Sequence, residues 1–127
     1  MKDVKWITDR RIEIANRLDI GLKNLSPKII IPNRSADERR VYHMYMLLVE
    51  SRDALFEWLL ERGVDAKIHY PIPLHLQQAS NGLGYKLGDF PVSEKQAKNI
   101  ISLPAHQHLT NDEIDYVIST VKGFYAS

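Results

Sequence analysis

The chain has 127 residues and a mass of 14.7 kDa, enough for one domain with one modest core. Its 44% hydrophobic and 26% charged content is that of a folded globular protein, and a net charge of +1 gives no electrostatic case for nucleic acid or an acidic membrane. No cysteine occurs, no apolar run reaches transmembrane length and no apolar signal region opens the chain, so disulfides, thiolate chemistry and a membrane span are excluded and a cytoplasmic setting is expected.

Residues 3–25 read as a helix, because Ile7, Ile14, Leu18, Leu22 and Leu25 recur at intervals near three, four or seven while Asp9, Arg10, Arg17 and Lys23 fall elsewhere. The stripe starts almost at residue 1, so this helix is expected to continue from, or lie against, something outside the chain. Ser26-Pro27 ends it. Residues 28–31 form a β-branched run closed by Pro32, a short strand, and the charged stretch 33–40 is a loop. Residues 41–49 are apolar at both alternating sets of positions, the pattern of a strand covered on both faces.

Ser51 is placed to cap a helix over 52–62, with Asp53 in its first turn and Gly63 at the C-terminal cap position. Residues 64–70 read as a second strand, neighbour to 41–49. The stretch from Pro71 to Pro91 is a long loop with three glycines in 82–88, and loops of this length are commonly functional or mobile. Ser93 with Gln96 predicts a capping box for a helix to about Ile101, and Leu103-Pro104 opens a short extended piece. Thr110 with Glu113 predicts a second box, and Ile114, Val117, Ile118, Val121 and Phe124 line the last helix. The fold class is therefore α+β, a small, mostly antiparallel sheet covered by helices, in a single domain over 1–127.

Five histidines are candidates for chemistry. His106 and His108 would share a face of a strand, but no further ligand sits at matching spacing, so they read as exposed loop histidines rather than a metal site. His43, inside an apolar strand, reads as a buried histidine hydrogen-bonded to backbone. His69 and Tyr70 alternate at the end of a strand, so one faces the core and the other away, and Pro71 and Pro73 stiffen the exit. A functional and a structural role for that pair both remain open on pattern alone. No Gly-x-Ser-x-Gly context and no phosphate-cradling glycine loop occurs.

The segment Ile68-His69-Tyr70-Pro71-Ile72-Pro73-Leu74-His75-Leu76-Gln77-Gln78-Ala79 resembles the His-Tyr-Pro signature of the DegT/DnrJ/EryC1/StrS family. Further matches follow in order: Arg10-Arg11 with Ile14-Ala15, Val41-Tyr42-His43-Met44-Tyr45, the Arg52-Asp53 helix closed by Gly63, Asp89-Phe90-Pro91-Val92-Ser93-Glu94, Ile101-Ser102-Leu103-Pro104-Ala105-His106, and Leu109-Thr110. The resemblance implies the C-terminal small domain of a fold-type I transferase that uses pyridoxal phosphate (PLP) to pass an amino group, typically from glutamate, to a nucleotide-linked keto sugar. It implies His69 and Tyr70 near cofactor and sugar, His43 and His75 as weaker candidates, and a homodimer for the complete enzyme. Transamination through PLP needs a Schiff-base lysine, a carboxylate on the pyridine nitrogen and phosphate donors. None of the lysines here has that context, so the chain alone is expected to be inactive and not to bind PLP. A stand-alone, non-catalytic binding or interaction module derived from the family is the alternative of a different class.

Overall fold

The computed structural model describes residues 3–35 and 37–126. The elements run α1 (Val4–Leu22), β1 (Ile29–Ile30), β2 (Tyr45–Val49), α2 (Arg52–Glu61), α3 (Pro91–Asn99), β3 (Ile100–Leu103) and α4 (Asn111–Ala126). Short 3-10 turns extend α1 and punctuate the long loop at Leu74–Leu76 and Gln78–Ser80.

One three-stranded antiparallel sheet, ordered β1-β2-β3, sets the frame. Ile29 lies opposite Val49 on one side, and Tyr45, Met46, Leu47 and Leu48 face Leu103, Ser102, Ile101 and Ile100 on the other. Tyr45, Leu47, Val49, Ile101 and Leu103 join Ile14, Leu18 and Leu22 of α1, Leu55 and Leu59 of α2, and Ile114, Val117 and Val121 of α4 in one buried core. The expected α+β architecture is what the chain adopts.

The helix ends follow local chemistry. Thr110 and Glu113 form the predicted box: the Glu113 amide donates to Thr110 Oγ1 at 3.2 Å, and the Thr110 amide donates to Glu113 Oε2 at 2.7 Å. Gly63, at φ +72°, closes α2; its amide donates to the Leu60 carbonyl and that of Val64 to the Leu59 carbonyl, the paired bonds of a Schellman cap. Ser51 does not cap this helix: it sits at φ +53° and makes no capping bond. Ser93 does not start α3 either. Pro91 takes the first helical position, where its missing amide costs nothing, and the Phe90 amide donates to Glu94.

Three strand expectations need correction. Within 41–49 only Tyr45–Val49 pairs, because Tyr42 turns to φ +45° and takes the preceding residues out of the ladder. Its second face, with Met46 and Leu48 half-buried, is less covered than the core face. Residues 64–70 are not a strand beside β2. The Ala66 amide bonds back to the Val64 carbonyl, which bends the chain and leaves a single bridge between Lys67 and Ser102. The place beside β2 belongs to β3, formed where the helix was expected to run on to Ile101.

Candidate functional site

The site grows from β3. Ser102 lies opposite Met46 and two residues from Ile100, so it projects to the sheet face away from the core. The reciprocal bonds between Ser102 and Lys67, 2.8 and 3.0 Å, bring the following residues over that face. His69 turns inward, its Nδ1 3.1 Å from Ser102 Oγ, and Tyr70 turns outward at 70% exposure. The two rings meet edge to face at 5.7 Å, and the peptide between them is cis. Neither residue faces the core, as alternation had implied for one of them: no strand places the pair, His69 is half-buried over the outer sheet face and Tyr70 is exposed.

His69 and Tyr70 open onto a cleft of about 260 Å³ between the proline turn and α3. Gln77, Ser93 and Gln96 supply its other polar side chains, and Ile72, Leu74 and Ile100 are among its apolar ones. Imidazole, phenol, amide and hydroxyl groups of this kind suit neutral hydrogen bonding to a ligand rich in oxygens, with apolar surface against its rings. The lining contains no lysine and no carboxylate. It therefore does not fit PLP by itself, which requires both a lysine to hold the cofactor and an acid on its pyridine nitrogen.

His75 does not face that cleft. Its side chain is 7% exposed, its Nε2 lies 2.9 Å from Glu94 Oε1, and its ring packs 4.8 Å from that of Phe90. The same carboxylate oxygen accepts the amides of Gly88 at 2.8 Å and Phe90 at 3.3 Å. Burial pushes the Glu94 carboxyl up, but the Gly88 amide, His75 and the Phe90 amide outweigh it and hold the group below the ordinary glutamate range. His75 thus ties the long loop to the start of α3.

His43 is exposed, not a buried core histidine, because the strand begins two residues later; its carbonyl accepts a bond from Arg11. It borders a separate hollow with Arg34, Arg39 and Arg40. Each of those arginines has an acidic partner, Asp19, Asp9 and Glu38 respectively, so the hollow carries no free cluster of positive charge. His106 and His108 are exposed, as expected. Among the described residues no group of three or more histidines or acids is placed to hold a metal ion, and no helix is long and apolar enough to cross a membrane.

Sequence reading missed Ser102 and Glu94 as the groups that hold the two histidines. Ser102 carried a faint signal, a lone hydroxyl between apolar strand residues. Glu94 carried none, since its three partners come from positions 75, 88 and 90.

An antiparallel sheet with helices on its core face and a histidine-tyrosine turn on the other defines a small α+β domain bearing a polar cleft. The sequence matches the model of the DegT/DnrJ/EryC1/StrS aminotransferase family over residues 1–122, and the chain belongs to that family. It is 38% identical to the erythromycin biosynthesis sensory transduction protein EryC1 of Saccharopolyspora erythraea, over 90% of this chain and 31% of that one. It is 35% identical to the dTDP-3-amino-3,4,6-trideoxy-alpha-D-glucose transaminase of Streptomyces venezuelae, over 89% of this chain and 30% of the relative. Among solved structures, S. venezuelae DesV in complex with a ketimine intermediate superposes with a TM-score of 0.92 at 32% identity, covering 97% of this chain and 33% of that one. The chain spans about a third of the length of these relatives.

Proposed function

We propose that this chain is the C-terminal small domain of a PLP-dependent aminotransferase that transfers an amino group, from glutamate as donor, to a nucleotide-linked keto sugar. Such an enzyme serves the making of amino sugars for cell-surface polysaccharide or secondary metabolites. The observation that carries the reading is the family match along nearly the whole chain, with the His69-Tyr70 cleft on the sheet face opposite the core. PLP would supply the electron sink for moving the amino group and belongs to the part of the relatives that this chain does not match. The chain's own residues bind and orient: His69 and Tyr70 present polar atoms to the sugar, and Ile72 and Leu74 exclude water beside it. The complete enzyme is a cytoplasmic homodimer in this reading, and the isolated chain neither holds PLP nor transaminates.

Two measurements test it. In a complete enzyme carrying this domain, His69→Ala and Tyr70→Phe should each lower kcat/KM for the sugar by roughly 5–150-fold, the loss of one positioned polar contact worth about 1–3 kcal/mol. Mixed with PLP, the isolated chain should give no lysine-linked absorbance band that borohydride removes. Such a band together with amino-sugar formation would overturn the reading of the isolated chain, and unchanged kinetics in both variants would overturn the sugar-facing role of His69 and Tyr70.

A further inference from the structure

We propose that Ser102 is a positioning residue that fixes the proton on His69: it holds the neutral imidazole as the Nε2–H tautomer, so that the cleft presents a hydrogen-bond donor to a ligand oxygen. The proposal deepens the reading of His69 as a sugar-facing residue and rests on it for its functional meaning.

Ser102 is 5% exposed and its backbone is locked by the reciprocal bonds to Lys67. Its Oγ lies 3.1 Å from His69 Nδ1, and among the described residues that nitrogen is its one hydrogen-bond partner. A hydroxyl carries one proton and a neutral imidazole carries one N–H, so only two arrangements exist. If Nδ1 carried the imidazole proton it would donate to Oγ, and the buried hydroxyl proton would have no acceptor. If Oγ–H donates to Nδ1, both groups are satisfied and the imidazole proton resides on Nε2. Leaving a buried polar proton unpaired disfavours the first arrangement by a factor of roughly 5–150.

The ligand chemistry follows. An Nε2–H donor complements a hydroxyl, carbonyl or phosphate oxygen and does not complement an ammonium group. The Tyr70 ring, edge-on at 5.7 Å, restricts the plane in which that donor points.

The test uses the full 127-residue chain, labelled with 15N, and long-range 1H–15N correlation of its imidazoles at about pH 8.5, where an ordinary histidine is neutral. His69 is assigned by the peak lost in His69→Gln. The expected result is one tautomer, protonated at Nε2, with the Nδ1 resonance shifted by an accepted hydrogen bond. Ser102→Ala should remove that shift and let the Nδ1–H form rise severalfold, and Ser102→Thr should restore both. A wild-type spectrum with His69 protonated at Nδ1 overturns the proposal, and so does a Ser102→Ala spectrum unchanged at His69. Should Ser102→Ala not fold, the wild-type tautomer and the Ser102→Thr variant decide. The readout needs neither substrate nor cofactor. A His69 that proves catalytically silent in the complete enzyme would remove the functional reading and leave the tautomer standing.

Discussion

Asp19 accepts the hydroxyl of Tyr45 at 2.6 Å, although 26 residues separate them and Tyr45 is fully buried. Arg34 completes the arrangement, placing Nε and Nη2 on the two carboxylate oxygens of Asp19 at 2.5 and 2.8 Å with its guanidinium over the Tyr45 ring. Burial and then the bond to Asp19 hold the Tyr45 hydroxyl well above the ordinary tyrosine range, so it stays a donor at every physiological pH. One carboxylate thereby joins α1, β2 and the charged loop after β1. Asp19→Ala strands the buried hydroxyl and should cost about 1–3 kcal/mol by urea denaturation, more than Tyr45→Phe at about 0.5–1.5 kcal/mol, which removes one bond and leaves the half-buried Arg34–Asp19 pair in place. Equal losses in the two variants would show that the carboxylate matters only through Tyr45.

Leu47 and Leu59, 1% and 0% exposed, lie in the same buried core. Leu47→Ala or Leu59→Ala should cost about 2–5 kcal/mol. Leu74, 79% exposed in the proline turn, should change stability by under about 0.5 kcal/mol when replaced by Ala. Thermal melts of the three variants side by side check the contrast.

Gly21 allows α1 to approach α4. A Cβ there would lie 2.6 Å from Ile118 Cδ1 and 2.9 Å from its Cγ2. Alanine would gain about 1 kcal/mol of helix propensity, but overpacking a buried contact costs about 1–3 kcal/mol, so Gly21→Ala should be net destabilising. Combining it with Ile118→Ala should give less than the sum of the two losses. Strict additivity in that cycle would mean the helices separate freely at this point.

The Glu94 carboxyl is held below the ordinary glutamate value of 4.5 in the folded chain. A depressed acid stabilises above its unfolded pKa, and that contribution is lost as pH falls through its folded value. Protection of the Gly88 and Phe90 amides against hydrogen exchange should therefore be flat above about pH 5 and decline only as pH falls through the depressed pKa, below the ordinary glutamate range, after correction for intrinsic rates. Glu94→Ala should abolish both the protection and its pH dependence. Amides that stay protected in acid would assign the loop's order to something other than this carboxylate.

Tyr70→Phe should move the stability of the isolated chain by less than about 1 kcal/mol, since that side chain is largely exposed, whereas His69→Ala strands the buried Ser102 hydroxyl and should cost about 1–3 kcal/mol. A loss in Tyr70→Phe comparable to Leu47→Ala would make the turn a structural element.

The helices at either end were legible because their stripes and caps are local: Ile14, Leu18 and Leu22 share a face by period alone, and Thr110 meets Glu113 across one turn. Gly63 announced the end of α2 for the same reason. The sheet was less legible. Residues 41–49 are apolar at both alternating sets of positions and 64–70 alternate Val64, Ala66 and Ile68 with Asp65, Lys67 and His69, yet strand pairing depends on which backbone groups find partners, and the turns at Tyr42 and Ala66 withdraw theirs. The short strand Ile100–Leu103, which follows α3 without a break, takes the place beside β2 instead.

The His69-Tyr70-Pro71 turn was visible in the sequence as a polar pair with a rigid exit, and the family could be recognised from it and the ordered segments around it. Only the folded chain decided what each histidine does. Hydrogen-bond partners 33 and 19 residues away, Ser102 for His69 and Glu94 for His75, give one ring an orientation toward a cleft and lock the other into a loop anchor. Local pattern fixes which face a side chain occupies within an element; the partner it meets is set by how distant elements pack, and that is where the chemistry of an imidazole is decided.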